Sequence, residues 1–143
     1  MAQITMTNPP CDLTRVEDYL EVIYDLIEKK GYARAVDIAE RLGVKNSSVT
    51  GMVQKLDSMG LVEYERYRRL TLTEKGEKMA RLTQQKHVLI SKFLLLLGIE
   101  ETIANEDAEG IEHHVHKDTL NRIKRFVDFA NEHPSWFKTF QTA

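Results

Sequence analysis

Apolar side chains in the first half of the chain recur with the period of α-helices. Thr14-Arg15-Val16-Glu17 fits a capping box, and apolar residues then return every three or four positions until Gly31. The same spacing predicts a second helix over about 35–42 and a third helix that ends at Gly60. The pattern therefore predicts three helices joined by short turns.

The second and third predicted helices have the spacing of a helix-turn-helix. The turn between them contains Gly43, and Asn46-Ser47-Ser48 offers N-cap side chains for the third helix. Segments 61–65 and 70–72 then alternate as strands do, around the basic tip Arg66-Tyr67-Arg68-Arg69. A hairpin with a basic tip after a recognition helix indicates a winged helix-turn-helix. An ordinary helical hairpin is the alternative, and the two strands argue against it.

The second half of the chain is predicted to be helical. Thr73 can cap a long helix that runs to about residue 97, and the later half of this helix is apolar around most of its circumference. A further helix would hold Glu109 to His114, and another would span about 118–131. The short helices of this half of the chain are too few to bury the apolar surface of the long helix by themselves. We therefore expect the chain to pair with a second copy as a homodimer.

A short segment is predicted to follow the last of these helices. Pro134 breaks the helix, and Trp136, Phe137 and Phe140 are expected to pack the C-terminal segment. The fold class predicted is mainly α, with a winged helix-turn-helix domain and a helical dimerisation domain joined by a long helix. The boundaries expected are a flexible arm over 1–12, the DNA-binding domain over 13–76, and the linker helix with the dimerisation domain over 77–143.

Charge and hydropathy narrow the functional classes. The net charge of −2 argues against one large basic surface, but residues 34–76 carry eight Lys and Arg against six Asp and Glu, so nucleic-acid binding would be local. The 143 residues hold no apolar run long enough to span a bilayer and no secretory leader pattern, so we expect a cytoplasmic protein without a membrane partner. The single cysteine, Cys11, is assigned no role.

The segment Glu109-Gly110-Ile111-Glu112-His113-His114 carries the clearest chemistry. On a helix, its spacing places Glu109, Glu112 and His113 on one face. Two carboxylates and an imidazole so placed suit a divalent cation, which removes the repulsion between them. A solvated acidic turn with a chance histidine pair is the alternative interpretation of this segment alone. A second acidic pair, Asp18 and Glu21, lies away from the apolar stripe of the first helix.

Several separated motifs, in order, resemble the diphtheria toxin repressor family, in its manganese transport regulator branch. The resemblance covers about residues 12–131. The motifs are Glu17-Asp18-Tyr19-Leu20-Glu21-Val22-Ile23-Tyr24, the winged motif ending in Leu70-Thr71-Leu72-Thr73-Glu74-Lys75-Gly76, His87 in the long helix, and Ala108-Glu109-Gly110-Ile111-Glu112-His113-His114. The resemblance implies a metal-activated, homodimeric, DNA-binding repressor that controls metal-ion uptake genes.

The resemblance also implies a set of metal ligands. These are Asp18, Glu21, His87, Glu109, Glu112 and His113. Iron-responsive members carry a methionine where Asp18 stands and usually add a third domain, so Asp18 and the length of this chain favour manganese. An iron(II)-responsive repressor remains the alternative. His114 and His116 match no ligand of the family.

The chemistry of this ligand set agrees with that assignment. Four carboxylates and two imidazoles without a thiolate form a hard set that suits Mn²⁺ or Fe²⁺ better than a structural zinc. Shared carboxylates could hold two ions close together, so we expect two Mn²⁺ per subunit. No organic small-molecule substrate is expected.

Contacts with double-stranded operator DNA are expected from the start of the third helix and from the wing. The candidates are Asn46, Ser47, Ser48, Thr50, Gln54, Lys55, Arg68 and Arg69. Two other classes remain open. A carboxylate-bridged di-metal enzyme would want a Glu-x-x-His motif from each of two helices, which is absent near His87 and His113. A winged-helix regulator that senses an organic ligand would leave the acidic residues merely solvated.

Overall fold

The computed structural model describes residues 10–65 and 68–143, which are mainly α-helical. In chain order the elements are α1 (Pro10–Lys30), α2 (Ala35–Leu42), α3 (Asn46–Ser58), β1 (Val62–Glu65), β2 (Arg69–Leu72), α4 (Glu74–Leu96), α5 (Glu101–Ile111), α6 (Lys117–Glu132) and α7 (Pro134–Thr142). This order confirms the predicted fold class. The chain divides into one compact unit that ends at Leu82 and a second of Thr83–Ala143, so the boundary falls within α4. Among the described residues, no helix has the length and apolar character needed to cross a membrane.

Helix α1 begins earlier than the capping-box pattern predicts. It starts at Pro10, so Thr14 lies inside the helix and not at its cap. Proline is favoured as the first helical residue because its missing N–H would have no partner there in any case. Residues 10–12 of the predicted flexible arm are therefore helical, and the rest of the arm lies outside the described residues.

One hydrophobic core joins the elements of the first unit. Each helix contributes the apolar face that its sequence period predicts, and the strands contribute their inward-facing residues. The core residues that are at most 2% exposed are Val16, Leu20, Ile23, Ala33, Ile38, Val49, Val53, Leu56, Leu61, Val62, Leu70 and Ala80. This core fixes α3 and the hairpin, which carry the candidate DNA contacts, in one unit.

The helix-turn-helix turn is made by Gly43. Its φ of 66° is left-handed, a conformation that glycine adopts without steric cost, and it ends α2. The N–H of Val44 then donates to the carbonyl of Ala39 at 3.0 Å. The N-cap of α3 is Lys45, which makes no side-chain capping bond, so the prediction that Asn46, Ser47 and Ser48 cap this helix is wrong.

Strands β1 and β2 form an antiparallel hairpin, the wing, in which Val62 pairs with Leu72 and Glu65 pairs with Arg69. An isolated bridge between Ala33 and Leu70 adds the α1–α2 connection as a third edge. The observed strands differ from the predicted segments by one residue at their starts. The wing is thus tied by backbone hydrogen bonds to the segment that enters the helix-turn-helix.

The wing also packs closely against the start of α4. The Thr73 hydroxyl accepts a hydrogen bond from the Gly76 N–H at 3.1 Å, which confirms the predicted cap. A Cβ built at Gly76 would lie 2.0 Å from the carbonyl oxygen of Leu61, so this approach requires glycine.

The second unit has its own smaller core. Ile90 and Leu94 of α4 pack against Ala104 and Ala108 of α5, and Phe93, Ile99, Val115 and Leu120 cover these residues. Helix α7 begins at Pro134 and buries Phe137. Trp136 packs against Phe129 of α6 and against Phe137, and Phe140 packs against Phe137, as predicted for this segment. Trp136 and Phe140 nevertheless remain 58% and 51% exposed.

Candidate metal centre and nucleic-acid interface

Packing of α5 against α4 brings His87 and Glu112 together in the second unit. Ala104 and Ala108 are fully buried against the α4 face that contains Ile90. Glu112 follows Ala108 by four residues and continues the same face, and His87 precedes Ile90 by one turn. The apolar contact between the two helices therefore places a carboxylate beside an imidazole.

The Glu112 carboxylate is enclosed between two histidines. Glu112 is 1% exposed. Nδ1 of His87 lies 2.9 Å from Oε2 of Glu112, and Nε2 of His113 lies 3.5 Å from Oε1. An ionised carboxylate only accepts hydrogen bonds, so Nδ1 of His87 is the donor, and the lone pair of a neutral His87 ring remains on Nε2. The longer His113 separation is an electrostatic contact.

Burial of a carboxylate is costly unless the group is paired or binds a metal. The ring nitrogens of His87 and His113 that lie near it are both able to bind a metal. Carboxylate oxygens and imidazole nitrogens without thiolates are ligands for Mn²⁺ and Fe²⁺, so the residues of this cluster fit a divalent cation. The side chains as they stand do not form a complete shell. Within residues 10–65 and 68–143, no group of three or more His, Cys, Asp or Glu has the arrangement of a metal site.

The acidic segment of α5 is only partly helical. Helix α5 ends at Ile111, Glu112 is its C-cap, and His113 lies in the following turn. The prediction of one continuous helical face through Glu109, Glu112 and His113 is therefore wrong beyond Ile111. The turn buries Glu112 and leaves the His113 side chain 4% exposed, whereas Glu109 is exposed on the last turn of the helix.

Asp18 and Glu21, the other two predicted ligands, belong to the first unit. Both are half-buried on α1, and their spacing of three residues places them on one face of this helix. Within the second unit, the structure brings together His87, Glu112 and His113.

Three of the candidate DNA contacts form the first turn of α3. Asn46, Ser47 and Ser48 are the first three helical residues, and all three are exposed. Because no side chain caps this end, backbone N–H groups of the first turn face outward with the positive end of the helix dipole. Such a helix start suits contact with a phosphate.

Other candidates line a common cavity in the first unit. Thr50 and Gln54 of α3 line an open cavity of about 440 Å³ together with Tyr64 and Arg68 of the wing hairpin. The Thr50 hydroxyl donates within the helix to the carbonyl of Asn46 at 3.0 Å. Lys55, the remaining candidate on α3, is half-buried. The recognition helix and the wing thus border one concave surface.

Arg68 and Arg69 have different environments in the wing. Arg68 is exposed and has a left-handed φ of 57° in the connection between the strands. Arg69 is half-buried, with Cζ 4.1 Å from the ring centroid of Tyr32. Tyr32 was not among the predicted site residues, although alternation around the buried Ala33 could have placed its ring on the outer face. Arg66 and Tyr67, at the predicted tip, lie outside the described residues.

The second unit exposes several large apolar side chains. They are Val88, Leu95, Leu97, Ile103, Ile111, Phe129, Trp136 and Phe140, which are between 38% and 58% exposed. Apolar side chains at this density are typical of a surface that another protein molecule covers.

Two family models match consecutive parts of the chain. The model described as "Iron dependent repressor, N-terminal DNA binding domain" matches residues 13–70. The model described as "Iron dependent repressor, metal binding and dimerisation domain" matches residues 73–136. These matches confirm the family resemblance inferred from the sequence motifs.

The chain is also similar to curated regulators along nearly its whole length. It is 48% identical to the HTH-type transcriptional regulator MntR of Lysinibacillus sphaericus (strain C3-41) over 128 residues, which are 90% of this chain and 92% of that protein. It is 47% identical to MntR of Listeria monocytogenes serotype 4a (strain HCC23) over 126 residues, which are 88% of this chain and 89% of that protein.

Solved repressor structures have the same fold. The manganese regulator SloR is 34% identical with a TM-score of 0.71, and the match covers 80% of this chain and 54% of that one. A manganese-dependent transcriptional repressor in complex with manganese is 31% identical with a TM-score of 0.72, over 80% of this chain and 53% of that one. The chain thus spans about half the length of these solved structures.

These matches assign the chain a DNA-binding domain followed by a metal-binding and dimerisation domain, so its partners are DNA and a second copy of itself and its cofactor is a metal ion. The chain belongs to the iron-dependent repressor family, whose members are transcriptional repressors and not enzymes.

Proposed function

We propose that this protein is a cytoplasmic, manganese-activated repressor that binds operator DNA as a homodimer. It controls genes for metal-ion uptake. The observation that carries the proposal is the buried Glu112 carboxylate between His87 and His113. The relatives named as manganese regulators support the choice of metal.

The proposed ligands are Asp18, Glu21, His87, Glu109, Glu112 and His113. Together they supply four carboxylates and two imidazoles. Oxygen-rich sets of this kind suit Mn²⁺, and carboxylates that bridge would allow two ions per subunit. Asp18 is the residue proposed to favour Mn²⁺ over Fe²⁺, because a carboxylate is a harder ligand than a thioether.

These ligands lie in three segments of the chain, α1, α4 and the end of α5. Bound manganese would neutralise their carboxylates and hold the three segments together. Without that neutralisation, the carboxylates repel one another and the two DNA-binding domains of a dimer sample many separations. When manganese is bound, the two domains would keep to a narrow range of separations that matches half-sites in successive major grooves. The neutralised carboxylates also repel the phosphate backbone less.

The proposed DNA surface combines the start of α3 with the wing. Asn46, Ser47 and Ser48 would contact phosphates or base edges through their side chains and backbone N–H groups. Thr50, Gln54 and Lys55 would extend the contact along the helix, and Arg68 and Arg69 would add phosphate contacts from the wing. The domain boundaries proposed remain 13–76 for DNA binding and 77–143 for the linker and dimerisation.

Iron(II) is the second candidate effector, because the matching family models are described as iron-dependent. The two candidates are separated by DNA-binding titrations at fixed salt with Mn²⁺, Fe²⁺, Zn²⁺ and Co²⁺, each buffered to the same free concentration. Activation at the lowest free Mn²⁺ supports the proposal, and stronger activation by Fe²⁺ would transfer it to iron.

Glu109 and Glu106 offer a matched pair of variants for this titration. Both are exposed glutamates on α5, three residues apart, and only Glu109 is a proposed ligand. Glu109→Gln should lose metal activation, and Glu106→Gln should retain it. Equal responses of the two variants would mean that Glu109 is not a ligand.

A further inference from the structure

Tyr32, Arg34 and Arg69 occupy one face of the small sheet formed by the wing and the α1–α2 connection. Ala33 and Leu70 exchange both backbone hydrogen bonds, at 3.0 and 2.7 Å, and are 0% and 1% exposed. Successive side chains of a strand point to opposite faces. Because Ala33 and Leu70 point into the core, their neighbours in sequence point outward.

The outward face holds two arginines against one aromatic ring. Cζ of Arg69 lies 4.1 Å from the Tyr32 ring centroid, and Cζ of Arg34 lies 5.2 Å from it. Both distances are within the range of a cation–π interaction. Across the bridge, Arg34 is opposite Arg69, so the register alone brings two positive charges together.

The described residues provide no acidic partner for these two charges. Neither guanidinium forms an ion pair with a carboxylate of residues 10–65 or 68–143, and the buried Nε of Arg69 has no acceptor there. The nearby Asp37 is 3.6 Å from Nζ of Lys30 instead. Glu65, which pairs with Arg69 across the wing, lies on the same face but forms no ion pair with either guanidinium. A pair of guanidiniums with unused donors suits an anion with several acceptor oxygens.

The position of this face in the DNA-binding domain suggests that the anion is a backbone phosphate of DNA. Ala35 and Leu70, which directly follow Arg34 and Arg69, line the same cavity as Thr50, Gln54 and Arg68. Arg34 is also the N-cap of α2 and makes no side-chain capping bond. The two arginines therefore lie next in sequence to residues of the surface proposed to contact DNA, with their side chains on the outer face of the sheet.

We propose that Tyr32 is a positioning residue for DNA binding: its ring holds Arg69 and Arg34 in place to contact backbone phosphates of duplex DNA. This inference rests on the proposed function, and it extends the DNA contact beyond α3 and the wing tip to the α1–α2 connection. The Tyr32 ring does not contact DNA in this proposal. It limits the conformations of the Arg69 side chain, so less side-chain entropy is lost when Arg69 binds a phosphate.

The test measures DNA affinity of the full-length, Mn²⁺-loaded protein as a function of salt, with one duplex that the wild-type protein selects from a random library. Each lost phosphate contact reduces the slope of log affinity against log salt by about one. Arg69→Ala and Tyr32→Leu should both show this reduction, whereas Tyr32→Phe, which keeps the ring, should retain the wild-type slope. Arg125→Ala, an exposed arginine of α6, controls for loss of a positive charge elsewhere.

The slope separates a positioning role from a folding defect. Partial unfolding of Tyr32→Leu lowers the active fraction at every salt concentration without changing the slope. Wild-type slopes for both Arg69→Ala and Tyr32→Leu would overturn the inference while leaving manganese-dependent binding by the wild type, and the proposed function, intact. A reduced slope for Arg69→Ala alone would overturn the role of Tyr32. Failure of the wild type to bind any duplex with Mn²⁺ would overturn both proposals.

Discussion

The imidazole of His87 donates a hydrogen bond to the buried carboxylate of Glu112 at 2.9 Å, although the two residues come from different helices. The contact is produced by the packing of α4 against α5, in which Ala104 and Ala108 are fully buried. The orientation of His87 therefore depends on Glu112, and a change at either residue should be felt by the other. Coupling of this kind between a histidine and a carboxylate tunes metal affinity in many sites.

The two adjacent histidines His113 and His114 should respond differently to substitution. His113 is almost enclosed beside Glu112, and His114 is exposed. His113→Ala should abolish the manganese-induced gain in DNA affinity, a coupling expected to be about 1–3 kcal/mol, because it removes a proposed ligand. His114→Ala should retain that gain. Anisotropy titrations of DNA in Mn²⁺ and in chelator measure this gain in affinity for each variant. A normal manganese response in His113→Ala would remove His113 from the ligand set.

Asp18→Met should shift metal selectivity from Mn²⁺ toward Fe²⁺. The substitution replaces a hard anionic oxygen with a soft thioether, which Mn²⁺ binds poorly. The measurement is the ratio of free Fe²⁺ to free Mn²⁺ that gives half-maximal DNA binding, determined anaerobically for both proteins. If this ratio is unchanged, Asp18 does not set the selectivity.

Gly76→Ala should destabilise the first unit. Its Cβ would meet the Leu61 carbonyl oxygen at 2.0 Å, and backbone atoms on both sides would have to shift. Overpacking of this kind costs about 1–3 kcal/mol in the free energy of unfolding, which denaturant titration with chelator present can measure. Gly51 of α3 has no atom within 4 Å of a built Cβ. Gly51→Ala should therefore stabilise the helix by about 0.5–1 kcal/mol. Equal effects at both positions would contradict the close approach of Gly76 to Leu61.

Asp25 should make stability depend on pH in acid. Its hydrogen bond with Lys29, at 3.0 Å, and its contact with Arg41 of α2 hold the pKa of the carboxyl below its ordinary value. The ionised form is therefore favoured in the folded state. This contribution is fully present above the unfolded-state pKa and is lost as pH falls through the folded-state pKa.

The corresponding variant is Asp25→Asn. Because Lys29 and Arg41 are largely exposed, we expect it to lower the free energy of unfolding by no more than about 1 kcal/mol near neutral pH. The difference from the wild type should disappear well below about pH 4, where the wild-type carboxyl is protonated. Asp57→Asn, an exposed position on α3, serves as the control. A difference that persists unchanged in strong acid would show that charge at Asp25 is not its source.

The sequence predicted the elements of the first unit well, because each helix there has one apolar face and a clear end. Helix α2 has the bounds that the pattern predicted, and Gly43 ends it as expected. The start of α1 was missed because Pro10 can begin a helix before a capping box that resembles a true start. Local pattern cannot choose between two acceptable starts.

Interactions between distant segments were not predictable in the same way. The contact between Tyr32 and Arg69 depends on the bridge register, and the enclosure of Glu112 depends on how α5 ends and how it packs on α4. Trp136 packs edge-on against Phe129 and Phe137, as expected for the C-terminal segment, but it is still 58% exposed. An apolar side chain has the same sequence signature whether its own chain or a second copy covers it.

The most direct test of the account is the affinity of the wild-type protein for its selected duplex in excess Mn²⁺ and in chelator, at one salt concentration. We predict that Mn²⁺ raises the affinity by about 5–150-fold, the usual range of an allosteric coupling. By linkage, the duplex should tighten Mn²⁺ binding by the same factor. Equal DNA affinities in Mn²⁺ and in chelator would contradict the proposal that the Glu112 centre is a manganese switch.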